Sequence, residues 1–117
     1  SLTIEQQALF NGRLKALIAN HNVCIIAICH TRKLEGQDKN GNQRIEPTRY
    51  DIYGSKTTIS SATSVVLIWR DLHAEDEEER NTTYGKLDKN RDHSVTGVCG
   101  EWLYNPKEHR VYDKFGG

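Results

Sequence analysis

The stretch "VCIIAICHTRK", residues 23–33, begins as a continuous apolar run and ends abruptly in a histidine and two basic residues. Residues 23–29 are apolar on both alternating faces, which is typical of a short strand covered on both sides in a parallel sheet. The chain then enters a polar stretch, residues 31–54, with few periodic apolar positions. A structureless loop of that length in a compact domain is usually functional or mobile. We therefore expect a buried strand that carries His30 at its tip.

The segments on either side of this strand predict helices and a second strand. Thr3 and Gln6 have the spacing of a capping box, and apolar residues then recur at helical spacing, so residues 4–20 are predicted to form an amphipathic helix. Residues 56–62 predict a short helix, and residues 65–69, "VVLIW", predict a second buried strand. The order helix, strand, loop, helix, strand indicates an α/β layer fold.

The last third of the chain has a different pattern. Residues 74–80, "AEDEEER", are interpreted as a solvated acidic loop. Residues 82–88, 96–104 and 109–115 have strand-like patterns, with a hairpin connection between the last two. We expect these strands to form an antiparallel extension on the edge of the parallel sheet, and residues 1–117 to form a single domain.

Composition gives little indication of a partner. Lys plus Arg and Asp plus Glu both number 16, so the formal net charge is zero, although local patches can still create local fields. No apolar run approaches the roughly 20 residues of a membrane span, and the N-terminus lacks a signal-peptide layout. The chain has an odd number of cysteines and no CxxC spacing, so neither a zinc ribbon nor a redox pair is indicated, and we expect a reducing, cytoplasmic protein with free thiols.

Two groups of residues are candidates for binding phosphate. In open α/β sheets, ligands bind beyond the carboxyl ends of the strands, where His30 is predicted to lie. Its imidazole could donate to a phosphate oxygen, or it could simply cap the strand end. The loop that follows is either a phosphate-binding segment or a solvated loop. Its basic residues are Arg32, Lys33, Lys39, Arg44 and Arg49.

Two further features carry the same chemistry. Gly54 and Ser55 stand at the start of the helix that Lys56 continues, where backbone N–H groups could meet another phosphate, although Gly-Ser is also a common helix entry. Lys89 and Arg91 are two apart, so on a strand they point to the same face. A guanidinium beside an ammonium suits a transferring phosphoryl group. The alternative is a solvated hairpin end.

Taken in order, "LKALIANHNVCIIAICHTRK", "DIYGSKTTISSATSVVLIWR", "KNR" and "TGVCGEWLYN" resemble the C-terminal half of the motor domain in hexameric replicative DNA helicases. The DnaB family, phage helicase-primases and Twinkle-type helicases share this order of motifs. The phage and Twinkle types are closer because they also place a histidine at the position of His30. The resemblance spans roughly residues 13–115. It implies a partial RecA-like (P-loop NTPase) core with parallel strands, flanking helices and the antiparallel C-terminal extension.

The resemblance also implies roles for particular residues. His30 matches the sensor of the ATP γ-phosphate, and Arg91 and Lys89 match the arginine finger and its companion lysine, which reach the nucleotide of the neighbouring subunit. The DNA-binding residues implied are Arg32, Lys33, Lys39 and Arg44 in the first channel loop and Gly54, Ser55 and Lys56 in the second. No metal ligand is implied within this chain.

The expected activity is that of an ATP-dependent DNA helicase in a bacterial or phage-infected cell, which translocates on single-stranded DNA as a hexameric or heptameric ring, with a primase as a further partner. The sequence contains neither a G-x-x-x-x-G-K-[ST] motif nor the acidic strand that holds Mg²⁺, so we interpret the chain as a fragment, inactive alone. ATP or another NTP and Mg²⁺ would bind the full-length protein. The alternatives are another RecA-like ATPase of plasmid replication or recombination, and a noncatalytic DNA-binding module.

Overall fold

A long N-terminal helix opens the fold. The computed structural model describes residues 3–53 and 56–115, and in it helix α1 runs over Ile4–His21. The capping box is present: the Thr3 hydroxyl accepts from the Gln6 backbone N–H at 3.1 Å, and the Gln6 side chain accepts from the Thr3 N–H at 2.9 Å. Asn22 ends the helix in the left-handed conformation, with φ of 50°. The helix predicted over residues 4–20 is confirmed.

A four-stranded antiparallel meander forms the second half of the chain. The strands pair in chain order, each with its sequence neighbour. They are β1 (Ser64–Arg70), β2 (Thr82–Asn90), β3 (Gly97–Asn105) and β4 (Arg110–Asp113). Two short helices precede β1 and β2: α2 (Lys56–Ser61) and α3 (Glu77–Arg80). The strands predicted at residues 65–69, 82–88, 96–104 and 109–115 are therefore present.

The predicted parallel, RecA-like sheet is wrong. All strand pairs of the described residues are antiparallel, and β1 pairs with β2 rather than with residues 23–29. Residues 23–29 form no strand there, and Ile26 and Ile28 are 87% and 91% exposed. A parallel pair needs a long crossover, whereas antiparallel neighbours need only a short connection. Each strand of the meander pairs with its sequence neighbour, so among the described residues β1 is an edge strand that pairs only with β2, and the apolar run contributes nothing to that sheet.

The sheet buries one of its faces only in part. Val65 and Leu67 of β1 are buried, whereas Val66 and Ile68 between them are 54% and 62% exposed. Trp69 follows Val65 and Leu67 on the same face of β1. It stacks on its cross-strand partner Tyr84, with ring centroids 5.7 Å apart. The core of the described residues is therefore a narrow strip along β1 and β2.

The other notable packing feature is an indole lying over two glycines. Gly85 of β2 pairs with Gly100 of β3, and the Trp102 ring covers both. A Cβ added at Gly100 would lie 2.4 Å from the ring of Trp102, and one at Gly85 would lie 2.7 Å from it. Both positions must therefore lack a side chain for the ring to lie flat against the sheet.

The helices pack loosely. The Asn11 side chain of α1 donates to the Thr58 hydroxyl of α2 at 2.9 Å, which joins the two helices. None of the residues of α1 is fully buried. Of the helices in residues 3–53 and 56–115, none has the length and hydropathy needed to cross a bilayer.

We expect Gly100→Ala to destabilise the fold, because the added methyl displaces the Trp102 ring. Overpacking of this kind costs about 1–3 kcal/mol. Urea unfolding followed by tryptophan fluorescence measures the change.

Gly12→Ala is the matched control. Gly12 lies in α1 with no atom within 4 Å of an added Cβ, so the substitution should raise helix stability by about 0.5–1 kcal/mol. Equal effects of the two substitutions would contradict the packing described for Trp102.

Candidate functional site

The long polar segment is closed at its base by backbone pairing. The Tyr53 N–H donates to the His30 carbonyl at 2.9 Å, and the Arg32 N–H donates to the Asp51 carbonyl at 2.7 Å. Between them, Thr31 and Ile52 form an antiparallel bridge. The segment is therefore a folded loop, and the exposed His30 lies at its base rather than at the tip of a buried strand.

Asp51 is the central acceptor of this loop. Its residue is only 9% exposed, and its carboxylate accepts from both terminal nitrogens of Arg44, at 3.1 and 3.0 Å. The Thr48 N–H and hydroxyl donate to the same carboxylate at 2.7 and 3.0 Å. Burial alone would raise the pKa of Asp51, but the hydrogen bonds from Arg44 and Thr48 outweigh it, and the pKa lies below its ordinary value.

The predicted DNA-binding residues of this loop differ in their contacts. All three guanidinium nitrogens of Arg44 donate inside the loop, the third to the Glu35 carbonyl at 3.2 Å. Arg32 and Lys33 are exposed beside the paired base. Lys39 is exposed at the tip, in a turn where the Asp38 carboxylate accepts from two backbone N–H groups. Arg44 thus stabilises the loop, whereas Arg32, Lys33 and Lys39 are exposed and stay predicted DNA contacts.

A second group of cations does come together. The 3₁₀ turn Arg49–Asp51, helix α2 and strand β2 border a shallow, open cleft of about 390 Å³. Its lining residues are Arg49, Tyr50, Lys56, Ile59, Ser60 and Lys89. Three of them are cationic, and each comes from a different element. Lys56 is exposed at the first position of α2; the predicted Gly54 and Ser55 lie outside the described residues.

Lys89 and Arg91 both reach the C-terminal end of α2. The Lys89 ammonium donates to the carbonyls of Ile59, at 2.9 Å, and Ser60, at 3.2 Å. The Arg91 guanidinium donates to the Ser60 carbonyl at 2.8 Å. The Ile59 carbonyl also accepts from the Ala62 N–H at 3.3 Å, just beyond the helix, and cations are favourable at a helix C-terminus. The two residues predicted to face a neighbouring subunit therefore contact their own chain.

A bulge in β2 places Asp88 against one of the cations of the cleft. The pairing steps from Leu87–Val66 to Lys89–Val65, so Asp88 is the extra residue. Its carboxylate contacts the Arg49 guanidinium at 3.0 Å. The same guanidinium lies 5.9 Å from the centre of the Tyr50 ring, and Tyr50 is 75% exposed.

The cleft has a local excess of positive charge. Burial lowers the pKa of Lys89, and the nearby charges of Arg91, Arg49 and Lys15 lower it further. Asp88 is the carboxylate paired with one of these cations. An anion placed among them would relieve their mutual repulsion, so the arrangement is suited to binding phosphate.

Two of the residues that line this cleft, Arg49 and Tyr50, had no predicted role in the sequence. Sequence reasoning counted Arg49 among the basic loop residues without assigning it a role, and it did not single out Tyr50. The available signal was the alternation of basic and aromatic residues in "RYDIYGSK", residues 49–56. Within residues 3–53 and 56–115, no group of three or more His, Cys, Asp or Glu side chains is arranged to hold a metal ion.

Comparison with known proteins adds no family. No protein-family model matches the chain, and a search of curated proteins finds no similar sequence.

We expect Asp51→Asn to loosen the base of the loop, because the amide cannot accept the paired guanidinium nitrogens as a carboxylate does. The local cost is about 1–3 kcal/mol. Amide hydrogen exchange at Arg32 and Tyr53, whose N–H groups close the loop, measures it. Glu46→Gln is the control, since Glu46 is a half-exposed partner of Lys86 at 3.9 Å, and such pairs contribute about 0–1 kcal/mol.

The same interaction sets an acid dependence. Because the folded pKa of Asp51 is lowered, its contribution is fully present above the unfolded pKa, about 3.9, and is lost as the pH falls through the folded value. The protection factors of the Arg32 and Tyr53 amides, which correct for the slower intrinsic exchange in acid, should therefore fall with the pH in the wild type and much less in Asp51→Asn. Parallel pH profiles for the two proteins would refute the role of Asp51.

Proposed function

We propose that this chain is part of an ATP-dependent replicative DNA helicase and that it contacts single-stranded DNA through the cleft between the 3₁₀ turn, α2 and β2. The observation that carries the proposal is the convergence of Arg49, Lys56 and Lys89 beside the exposed ring of Tyr50. The ordered motifs of the sequence support the helicase family.

Charge and chemistry support a nucleic-acid strand as the partner. Lysine and arginine side chains bind backbone phosphates without reading sequence, and aromatic rings stack on bases of any type. The chain has no net charge, so attraction for a polyanion has to come from a local cluster. Binding through this cleft should be tolerant of sequence and sensitive to salt.

In this proposal the nucleotide chemistry depends on the full-length protein. ATP and Mg²⁺ would be held by segments outside this chain, and ring formation would bring Arg91 towards the neighbouring subunit's triphosphate. Arg91 is exposed and contacts Ser60 through one guanidinium nitrogen, and in this proposal it exchanges that bond for the neighbour's phosphate. His30, exposed at the base of the loop, is the proposed phosphate sensor.

A noncatalytic DNA-binding module is the second candidate. It is favoured by one observation: Lys89 and Arg91 already donate to carbonyls of α2, which gives both a structural role without any nucleotide. Such a module would use the same cleft and would be indifferent to ATP.

Arg91→Ala in the full-length protein separates the two candidates. An arginine supplied by a neighbour stabilises charge on the transferred phosphoryl, so we expect DNA-stimulated ATP hydrolysis to fall by about a thousandfold or more. Arg110→Ala is the control, because Arg110 lies in β4 with its guanidinium over Tyr112. Unchanged hydrolysis in Arg91→Ala would leave the noncatalytic module as the better description.

Lys56→Gln tests the cleft itself. With a fluorescein-labelled oligo(dT), the variant should bind more weakly, and the slope of log affinity against log salt should fall by about 0.7, the value for one phosphate contact on a single strand. Lys107→Gln removes the same charge from the exposed β3–β4 hairpin and should change neither quantity. If Lys56→Gln and the wild type have the same slope, the cleft does not bind the backbone.

A further inference from the structure

We propose that the cleft is a one-nucleotide slot, in which a single unstacked base lies on the Tyr50 ring and its phosphate lies between the ammonium groups of Lys56 and Lys89. This inference rests on the proposed single-strand binding and specifies how the strand is held.

The ring of Tyr50 has the features of a base-stacking surface. Three quarters of the residue is exposed, and it lines the cleft instead of packing into the core. The Arg49 guanidinium lies over the ring at 5.9 Å and is itself fixed by Asp88 at 3.0 Å. An arginine so placed adds a cation–π contribution to a stacked base.

The backbone that carries the ring is also held in position before any ligand arrives. Tyr50 is the middle residue of the 3₁₀ turn, whose last residue is the buried Asp51. The Asp51 N–H donates to the Thr48 carbonyl at 3.0 Å, and its carboxylate binds Thr48 and Arg44. Little backbone ordering therefore remains to be done on binding, which reduces the entropic cost of association.

The opposite wall supplies the phosphate contacts. Lys56 is exposed and Lys89 is half-buried, and both line the same cleft as Tyr50. Ile59 adds an apolar residue to the lining. A volume of about 390 Å³ is at the lower end of the range for small-ligand sites, about 300–1,000 Å³, so it suits one nucleotide better than a stacked run of bases.

Tyr53 provides an internal comparison. It is 74% exposed, almost the same as Tyr50, and lies three positions further along the chain. It is not among the described residues that line the cleft, and its backbone N–H is used to close the loop at His30. Exposure alone therefore does not distinguish the two tyrosines, whereas position in the cleft does.

The test compares two ligands and three variants by fluorescence anisotropy. The ligands are a labelled oligo(dT) and an oligomer of the same length made of abasic deoxyribose phosphates. We expect Tyr50→Leu to weaken oligo(dT) binding by about fivefold or more, the equivalent of the lower end of stacking measured by substitution, and to leave abasic binding unchanged. Tyr53→Leu should affect neither ligand, and Tyr50→Phe, which keeps the ring, should bind as the wild type does.

The outcomes separate the slot from the underlying function. Loss of oligo(dT) binding in Tyr50→Leu alone supports the slot. The slot is overturned if Tyr50→Leu binds oligo(dT) as tightly as the wild type does, or if it loses equal affinity for both ligands. It is also overturned if Tyr53→Leu loses as much affinity as Tyr50→Leu. In any of these cases, salt-dependent binding by the wild type that Lys56→Gln weakens still supports backbone binding. A wild type that binds neither ligand overturns both proposals.

Discussion

The bonds from the Lys89 ammonium to the carbonyls of Ile59 and Ser60 join the sheet to the rest of the chain. The hydrophobic residues buried in the described structure are Val65 and Leu67, both in β1, so apolar packing contributes little to that junction. Polar contacts from one end of β2 hold α2 in place instead. Because the same contacts form a wall of the cleft, the position of the candidate site depends directly on them.

The second wall depends on a buried carboxylate. Asp51 accepts hydrogen bonds from Arg44 and Thr48. These bonds fix the 3₁₀ turn that carries Arg49 and Tyr50. A buried carboxylate inside a polar loop is stable only while its hydrogen bonds are complete, because an unpaired buried charge is costly. The loop and the junction at β2 together place cations and an aromatic ring around one cavity in a protein whose net charge is zero.

Local patterns in the sequence predicted the local structure. The Thr3–Gln6 spacing and the apolar period gave α1, and the alternation along the later segments gave the strands of the meander. The prediction of a buried strand at residues 23–29 was wrong, because apolarity indicates that a segment favours burial but not which strand will pair with it. In the structure Ile26 and Ile28 of this run are exposed.

The site was predictable in part. The two-residue spacing of Lys89 and Arg91 suggested that they act together, and both do reach the Ser60 carbonyl. That their partners would be carbonyls at the end of α2 is a tertiary contact which no local pattern records. The role of Tyr50 likewise depends on the loop closing at Asp51, which brings residues far apart in the sequence to one cavity.

The most direct test of the account is an NMR titration of the ¹⁵N-labelled chain with oligo(dT), in which backbone amide shifts show where the strand binds. We expect the largest changes in residues 49–53, 56–60 and 86–91, around the cleft. Changes confined to residues 32–44, or to β3 and β4, would contradict it.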